Sequence, residues 1–319
     1  MRYVMERSAR MVVTLFLVSI ITFMLVVLLP GDPALQVLGG DFTEEDYLAV
    51  REDLGLDDPL PMRYAGWLGG VVQGDLGTSF RTNQPVAEAI IERFPVTLQI
   101  MVVGLTIALL VSLPLAMIAA YRANSKTDTV VSTTSLAMLS IPNFMLALLL
   151  IFYLSVHLGW FPATGWVSFG RDPVASLRAT ILPALALAGA EIGVYTRLLR
   201  NDMIATLQED FITLARAKGA STPRVLFRHA RRPSSLSLAT VLGVQVGVAL
   251  GGSVIVETIF ALPGIGRLLV DSIFQRDLMI VQGVVLFIAV VYVLANFAVD
   301  LLYSVLDPRI RKGSARATA

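Results

Sequence analysis

Few residues in this chain have the types or spacing that support catalysis. The chain has no cysteine, which excludes thiol nucleophiles, cysteine metal sites and disulfides. Its two histidines, His157 and His229, form no HExxH zinc motif. None of its lysines, Lys126, Lys218 and Lys312, follows a glycine, so the chain has no Walker A loop for ATP. We therefore expect no enzyme activity, no metal site and no cofactor bound by the chain itself.

Two acids, Glu191 and Asp300, interrupt otherwise apolar stretches. An acid at the centre of a membrane span costs about 2.5–3.5 kcal/mol, so it usually faces a cavity or a partner. Glu191 precedes Arg197 by about one and a half helical turns, and Asp300 also lies near the end of its stretch. This position favours a structural or interfacial role over substrate contact. Glu191, Asn143 and Gln245 are the polar candidates for lining an intramembrane pathway.

The composition is that of a polytopic membrane protein. The chain has 319 residues, of which 55% are hydrophobic and 15% charged, with a mean hydropathy of +0.73. An average soluble domain is about 25% charged, and a soluble globule could not cover so much apolar surface. Six apolar stretches are candidates to cross a hydrocarbon core about 30 Å thick. They are residues 11–29, 96–120, 130–156, 181–196, 238–256 and 280–306.

The six stretches differ in strength. Residues 11–29 are longer than a signal-peptide core and are followed by no small-residue cleavage site, so we expect an uncleaved first span. The third stretch contains Pro142 and is long enough to tilt or kink. The fourth is the weakest, because it is short and contains Glu191.

The charges between the stretches orient them. Of the 25 lysines and arginines, 17 flank the side that carries the N-terminus, and such residues favour the cytoplasm. Residues 30–95 have 12 acidic and 4 basic residues, whereas residues 197–236 have 8 basic and 3 acidic. The sequence thus predicts an all-α fold of six transmembrane helices with both termini in the cytoplasm. The net charge of +1 points to no nucleic-acid partner.

The segment 30–95 carries helix signals of its own. Thr43-Glu-Glu-Asp46 resembles a capping box that opens a helix, and Gly55 is placed to end it. Asp58-Pro59 is expected to start a second helix through Tyr64 and Trp67, before a turn at Gly74-Asp-Leu-Gly77. This segment is either a helical cap lying on the membrane surface or a docking surface for an outer partner.

The loop 209–232 between the fourth and fifth stretches has the strongest pattern. Its first half has acids at the start and Arg216 and Lys218 at the end, as suits a helix dipole. Gly219 stands where a helix should stop, and Ser221 or Thr222 followed by Pro223 should open a second helix. A basic hairpin on anionic lipid is one interpretation. That interpretation does not explain why the loop has two capped helices that meet at a glycine. We call this pair of helices the elbow.

Two further regions have more than one interpretation. The fifth stretch has Ala239, Gly243, Gly247 and Gly251 at four-residue spacing, which serves either packing within the bundle or a seam with a partner subunit. Residues 257–266 then turn at Pro263 and Gly264 before an apolar run too short to span. Together with Glu257, these residues are candidates for an outer gate, although a simple connector has the same pattern.

The elbow resembles the EAA loop of inner-membrane subunits of binding-protein-dependent ABC importers, with Ala215-Arg-Ala217 near the EAA position. The rest of the chain is similar to dipeptide and oligopeptide permeases of the DppB/OppB type. The motifs that carry this resemblance are Pro30-Gly-Asp-Pro33, Leu54-Gly-Leu-Asp57, Gly74-Asp-Leu-Gly77, Arg93-Phe-Pro-Val-Thr-Leu98, Glu257-Thr-Ile-Phe-Ala-Leu-Pro-Gly-Ile-Gly266, Arg276-Asp277, Gln282-Gly283 and Asp307-Pro-Arg309. The chain departs from the family at Arg232-Pro-Ser-Ser-Leu-Ser-Leu238, where the proline comes earlier. The resemblance therefore does not predict how the second elbow helix enters the fifth span.

The resemblance implies a MetI-like permease that moves peptides by alternating access. It implies two cytoplasmic ATPase subunits that use ATP and Mg, a DppC/OppC-like second permease, an extracytoplasmic binding protein and surrounding membrane lipid. The residues that it assigns to ATPase coupling are Asp210, Ala215, Arg216, Ala217, Lys218, Gly219, Ala220 and Arg224. The implied organisation is a first span with an outer segment (1–95), a permease core (96–312) with the coupling loop at about 205–232, and a disordered tail (313–319).

Other functions fit the sequence less well. Nickel complexes or glutathione are alternative substrates, because permeases for them resemble the same family. A proton-coupled transporter would favour mid-membrane acid–base pairs and an internal repeat, and we find no repeat. An intramembrane protease would require a zinc motif or two mid-span aspartates, which the chain lacks. A channel would leave the elbow unexplained.

Overall fold

The computed structural model describes residues 2–28, 33–38, 42–53 and 55–306. Within these ranges the chain is almost entirely helical, and the only β pairing there is one isolated bridge between Thr78 and Pro85. The helices are α1 (Arg2–Leu28), α2 (Pro33–Leu38), α3 (Glu44–Asp53), α4 (Leu60–Val72), α5 (Val86–Tyr121), α6 (Lys126–Ser140), α7 (Asn143–Leu150), α8 (Pro173–Leu207), α9 (Asp210–Ala217), α10 (Thr222–Arg224), α11 (Arg231–Ile259), α12 (Ile265–Gln275) and α13 (Leu278–Leu306). Two π-helical segments, Ile151–His157 and Val225–Ala230, follow α7 and α10. The predicted tail 313–319, the motif at 307–309, residues 30–32 and the side chains of Ala239 and Asp300 lie outside what is described.

Five described helices are long and apolar enough to cross a membrane. They are Met5–Leu28, Val86–Tyr121, Pro173–Leu207, Val241–Ile259 and Leu278–Val299. The predicted third span is instead a pair of helices, Lys126–Ser140 and Asn143–His157, bent by 100°. The described part of the chain therefore has five candidate spans, or six if the bent pair counts as one.

The break in the third span has a local cause. Ile141 is extended (φ −87°, ψ 118°), as a residue before proline prefers, and Pro142 is extended as well. Proline has no N–H to continue the helical bonding, so α7 must start afresh at Asn143. The expected kink is therefore a complete break.

The fourth helix is much longer than its apolar core suggested. It runs from Pro173 to Leu207, with Asp172 capping the N–H groups of Val174 and Ala175 at 3.0 Å each. Glu191 accordingly lies near the middle of a 35-residue helix. That Glu191 lies near the cytoplasmic boundary of its span stays a prediction, because the helix continues beyond Arg197, past the apolar stretch. Hydropathy detects only the apolar part of a helix that packing extends.

Contacts divide the chain into two compact units, Met1–Pro95 with Arg267–Phe297, and Val96–Gly266 with Ala298–Ala319. In the first unit, α4 packs on α1 through aromatic rings. Tyr64 lies edge-on to Phe23 with centroids 5.5 Å apart, Trp67 lies 5.7 Å from Phe23, and the Tyr64 and Ser19 hydroxyls are 2.7 Å apart. The rings expected at a membrane surface therefore also pack against the first span.

The helix ends predicted in this unit are confirmed. The Asp46 N–H donates to Thr43 Oγ1 at 3.2 Å, while the Thr43 N–H donates to the Asp46 carboxylate at 3.0 Å, which is a reciprocal capping box. The Thr43 hydrogen bonds hold the pKa of Asp46 below its ordinary value. Gly55 has φ +61°, a conformation that favours glycine after a helix.

The loop before α5 is tied to the start of α13 in the same unit. The buried Ser79 hydroxyl donates to Asp277, and Arg81 donates to the Gln275 carbonyl at 3.2 Å. Asp277 also accepts from the Ile280 N–H at 3.4 Å, so it caps α13. The Arg276-Asp277 motif thus has a structural role in holding two segments that are distant in sequence.

In the second unit, α8 is the most buried span and packs against α6, α7 and α11. Its buried side chains, among them Leu182, Leu187 and Leu199, belong to two apolar clusters along the helix. A bidentate ion pair joins α8 to the start of α6, where Arg200 binds both carboxylate oxygens of Asp128, one of them at 2.6 Å. Asp128 is buried and also accepts from the Asn124 N–H at 2.8 Å.

We expect Asp128→Asn to destabilise the protein by about 1.5–3 kcal/mol, because it removes charge-assisted hydrogen bonds of a partly buried pair and leaves Arg200 without its counter-charge. Thermal unfolding in detergent measures this loss. The double variant Asp128→Asn with Arg200→Gln should recover part of it, since the unpaired cation is gone. If the double variant loses as much stability as the two single variants together, the two side chains do not act as a pair, and this account is contradicted.

Candidate functional site

The first helix of the elbow ends as the loop sequence predicts. Gly219 has φ +80°, and its N–H donates to the Arg216 carbonyl at 2.9 Å. The Ala220 N–H reaches back to the Ala215 carbonyl at 3.1 Å. These bonds close the C-terminus of α9 and turn the chain sharply, a geometry that favours glycine at this position.

The second helix of the elbow continues into α11. Ser221 precedes α10, Pro223 lies in the first turn, and helical structure then runs through the π-helical segment to Ile259. Pro233 has no N–H to bond the His229 carbonyl, and the wider π-helical turns lie just before this point. The helix therefore absorbs the proline without a break, which answers how the elbow joins the fifth span.

The elbow is anchored by a small apolar cluster. Ile212 of α9 and Val225 are buried with Met117 of α5 and Met203 of α8. The Ser234 hydroxyl donates to Thr206 Oγ1 at 3.0 Å, which joins α11 to the end of α8. The elbow is thus packed on the ends of two long helices.

The opposite surface of the elbow is open and partly apolar. Phe211, Leu214 and Phe227 are exposed, with 44%, 56% and 60% of their surfaces accessible. Among the residues predicted for coupling, Ala215 and Ala220 are half-buried, whereas the others are exposed: Asp210, Arg216, Ala217, Lys218, Gly219 and Arg224. The sequence patterns did not single out Phe211 and Leu214. Residues three apart share one face of a helix, so both lie on a face of α9 that differs from the one buried at Ile212.

The candidate gate, residues 257–266, closes on a buried carboxylate. Glu257 is fully buried and accepts from the Thr97 hydroxyl at 2.7 Å. The Ile265 N–H donates to the same hydroxyl at 2.9 Å. A Cβ at Gly264 would lie 2.3 Å from the Glu257 carboxyl carbon. Glu257 therefore holds the turn in place, while Pro263 is exposed at its tip.

The other pathway candidates fall into two places. Gln245 of α11 donates to the Glu191 carboxylate of α8 at 2.6 Å, and both line one cavity. Asn143 lies instead at the start of α7, where a Cβ at Gly252 would be 3.3 Å from its side-chain nitrogen. The structure brings Glu191 and Gln245 together, whereas Asn143 is not among the residues that line this cavity.

The glycines of α11 have different surroundings. A Cβ at Gly243 would lie 2.5 Å from a Val299 methyl, so Gly243 permits close packing within the chain. Gly251 is exposed, and a Cβ there would have no neighbour within 4 Å. Gly247 is half-buried between them. Intrachain packing thus explains Gly243 and leaves Gly251 available to a partner.

We expect Gly243→Ala to destabilise the isolated chain by about 1–3 kcal/mol, because the added methyl overpacks the contact with Val299. Gly251→Ala is the matched control in the same helix. It should be neutral or stabilising by up to about 1 kcal/mol, since alanine favours helix more than glycine does. Thermal unfolding of both variants in one detergent compares them, and equal midpoints would refute the distinction.

We also expect Thr97→Val to loosen residues 257–266, because it removes the hydroxyl that bonds both Glu257 and Ile265 while keeping the side-chain shape. Leaving a buried acceptor without its donor costs about 1–3 kcal/mol, so amide exchange at Ile265 should become about tenfold faster. Thr97→Ser keeps the hydroxyl and is the control. Unchanged exchange in Thr97→Val would show that other contacts hold the turn.

Comparison with known proteins agrees with this architecture. The family described as "Binding-protein-dependent transport system inner membrane component" matches residues 112–312, and its N-terminal counterpart matches residues 1–101. A putative peptide transport system permease protein of Brucella abortus is 42% identical over 308 residues, covering 97% of this chain and 98% of that protein.

Two further relatives have similar coverage. The oligopeptide transport system permease protein AppB of Bacillus subtilis is 40% identical over 311 residues, covering 97% of this chain and 98% of that protein. The glutathione transport system permease protein GsiC of Escherichia coli O6:H1 is 37% identical over 311 residues, covering 98% of this chain and 99% of its own length. The chain therefore belongs to the family of binding-protein-dependent transport system inner membrane components, as a multi-pass protein of the cytoplasmic membrane.

Proposed function

We propose that this chain is the permease subunit of an ATP-driven importer that carries peptides into the cytoplasm by alternating access. The relatives from Brucella abortus and Bacillus subtilis are named as peptide and oligopeptide permeases, and they match nearly the whole chain. The mechanism is supported mainly by the elbow. In the elbow, the short helix α9 ends at Gly219, and the helix that follows is continuous with a candidate membrane span.

The elbow suits the transmission of force. A helix anchored by Ile212 and Val225 moves as a unit with the ends of α5 and α8, whereas a loose loop would absorb the motion of a partner. Its exposed face offers Phe211 and Leu214 beside Arg216, an apolar surface with a positive edge. Such a face fits a groove on a cytoplasmic ATPase subunit.

The energy and the binding specificity come from other subunits in this proposal. The sequence has no Walker A loop, so two ATPase subunits supply ATP hydrolysis with Mg. A DppC/OppC-like second permease completes the pathway, and an extracytoplasmic binding protein delivers the peptide. Glutathione, itself a peptide derivative, is the second candidate substrate, because the relative from Escherichia coli is named as a glutathione permease.

The direct test is purification followed by uptake. The tagged chain should copurify from its native membrane with an ATPase and a second permease. A strain lacking this chain should lose uptake of radiolabelled peptides and regain it with the chain restored. Purification of the chain alone, with ATP-independent transport, would exclude the importer.

The corner residue gives a sharper prediction. Gly219→Val should abolish uptake while leaving membrane insertion intact, because a β-branched residue is strongly disfavoured at φ +80° and would change the angle of the elbow. Since nothing lies within 4 Å of the position of a Cβ there, the effect comes from the backbone and not from a clash.

Gly219→Asn is the matched control, because asparagine tolerates left-handed backbone conformations better than other side chains do. It should retain much of the uptake. Comparable uptake by the valine and asparagine variants would argue against a rigid corner, and loss of both proteins from the membrane would point to a folding role.

A further inference from the structure

A cavity within the second unit is not accounted for by the coupling mechanism. It has a volume of about 160 Å³ and lies among α5, α8 and α11. Most of its wall is apolar and includes Leu105, Leu187, Leu242 and Val246. A cavity of about 150 Å³ accommodates one benzene-sized group, so this one fits a single apolar side chain.

The cavity has one concentration of polar groups. The Glu191 side chain lines it, is 8% exposed, and accepts one hydrogen bond from Gln245 at 2.6 Å. Tyr195, one turn further along α8, lines the same cavity and is fully buried. Its hydroxyl lies within reach of the Glu191 carboxylate, with which it interacts.

These groups favour a cationic guest. A carboxylate accepts about four hydrogen bonds, and Gln245 supplies one of them. No lysine, arginine or histidine is among the described residues that line the cavity. Burial without a cation is costly for a carboxylate. Packing alone explains the contacts of Glu191 with Gln245 and Tyr195, but it does not explain the open volume beside them.

We propose that this cavity binds the amino-terminal residue of a peptide in transit. The Glu191 carboxylate receives the α-ammonium group, the Tyr195 hydroxyl accepts a further N–H, and the first side chain of the peptide occupies the apolar wall. Apart from the Tyr195 phenol, Glu191 is the only ionisable group among the described residues that line the cavity, and it is an acid. The cavity therefore favours the ammonium end of a peptide over its carboxylate end. This inference rests on the proposed peptide importer and adds the end of the substrate that the membrane subunit recognises.

The first test uses the whole transporter in proteoliposomes with saturating binding protein, and it compares the labelled tripeptides Phe-Gly-Gly and Gly-Gly-Phe. Ala249 lines the cavity on α11, so Ala249→Leu fills it and should lower the uptake ratio of Phe-Gly-Gly to Gly-Gly-Phe by about tenfold. Val248→Leu is the control, because Val248 is exposed and is not among the lining residues. An unchanged ratio in Ala249→Leu would overturn the subsite.

The second test concerns the carboxylate. Glu191→Gln keeps the side-chain shape and removes the charge, and it should slow uptake of Phe-Gly-Gly by about tenfold or more, the effect of losing a charge-assisted hydrogen bond. Wild-type uptake by this variant would also overturn the proposal. Copurification with the partner subunits checks that the variant folds.

A third measurement does not depend on that variant. Because the chain has no cysteine, Ala249→Cys introduces its single thiol, and Phe-Gly-Gly should slow alkylation of this thiol at least about tenfold. Val248→Cys should show no protection, and equal protection at both positions would refute the site.

If the wild-type complex lacks ATP-driven peptide uptake, the proposed function itself fails. If uptake is normal and these variants show no selective effect, only the subsite fails.

Discussion

The proposed mechanism depends on one structural constraint, the unbroken helical path from Thr222 to Ile259. It joins the corner at Gly219 to the far end of a predicted membrane span without an interruption of the helix. Pro233 would ordinarily interrupt such a path. The π-helical turns beside it let the helix shift its hydrogen-bond register. In the proposed mechanism, a partner that moves α9 therefore has a stiff element on which to act.

Buried polar contacts hold the segments around this helix. Thr97 ties the turn after α11 to α5, and Arg200 ties α8 to the start of α6 through Asp128. Each contact satisfies groups that would be expensive to leave unpaired inside a membrane protein. Because such contacts are either made or broken, they favour a few discrete arrangements over gradual deformation, which is the behaviour that an alternating-access transporter requires.

Some particular features were predictable from the sequence because neighbouring residues decide them. The capping box at Thr43, the positive φ at Gly55 and Gly219, and the start of the second elbow helix all follow from local backbone chemistry. Hydropathy found the spans but not their ends, and it underestimated α8, which packing extends well beyond its apolar core. Pro142 signalled a kink, but its local chemistry did not predict the 100° bend or the packing of α7 against α8 and α11.

The sequence by itself determined that this chain belongs in a membrane and where its helices should stop, because composition and short-range backbone preferences act over a few residues. Only the tertiary structure decided which side chains meet. It buried Ile212 and exposed Phe211, packed Gly243 but not Gly251, and joined Glu257 to a threonine 160 residues away. The physical reason is that burial and hydrogen bonding depend on segments that are remote along the chain, and no local pattern encodes their approach.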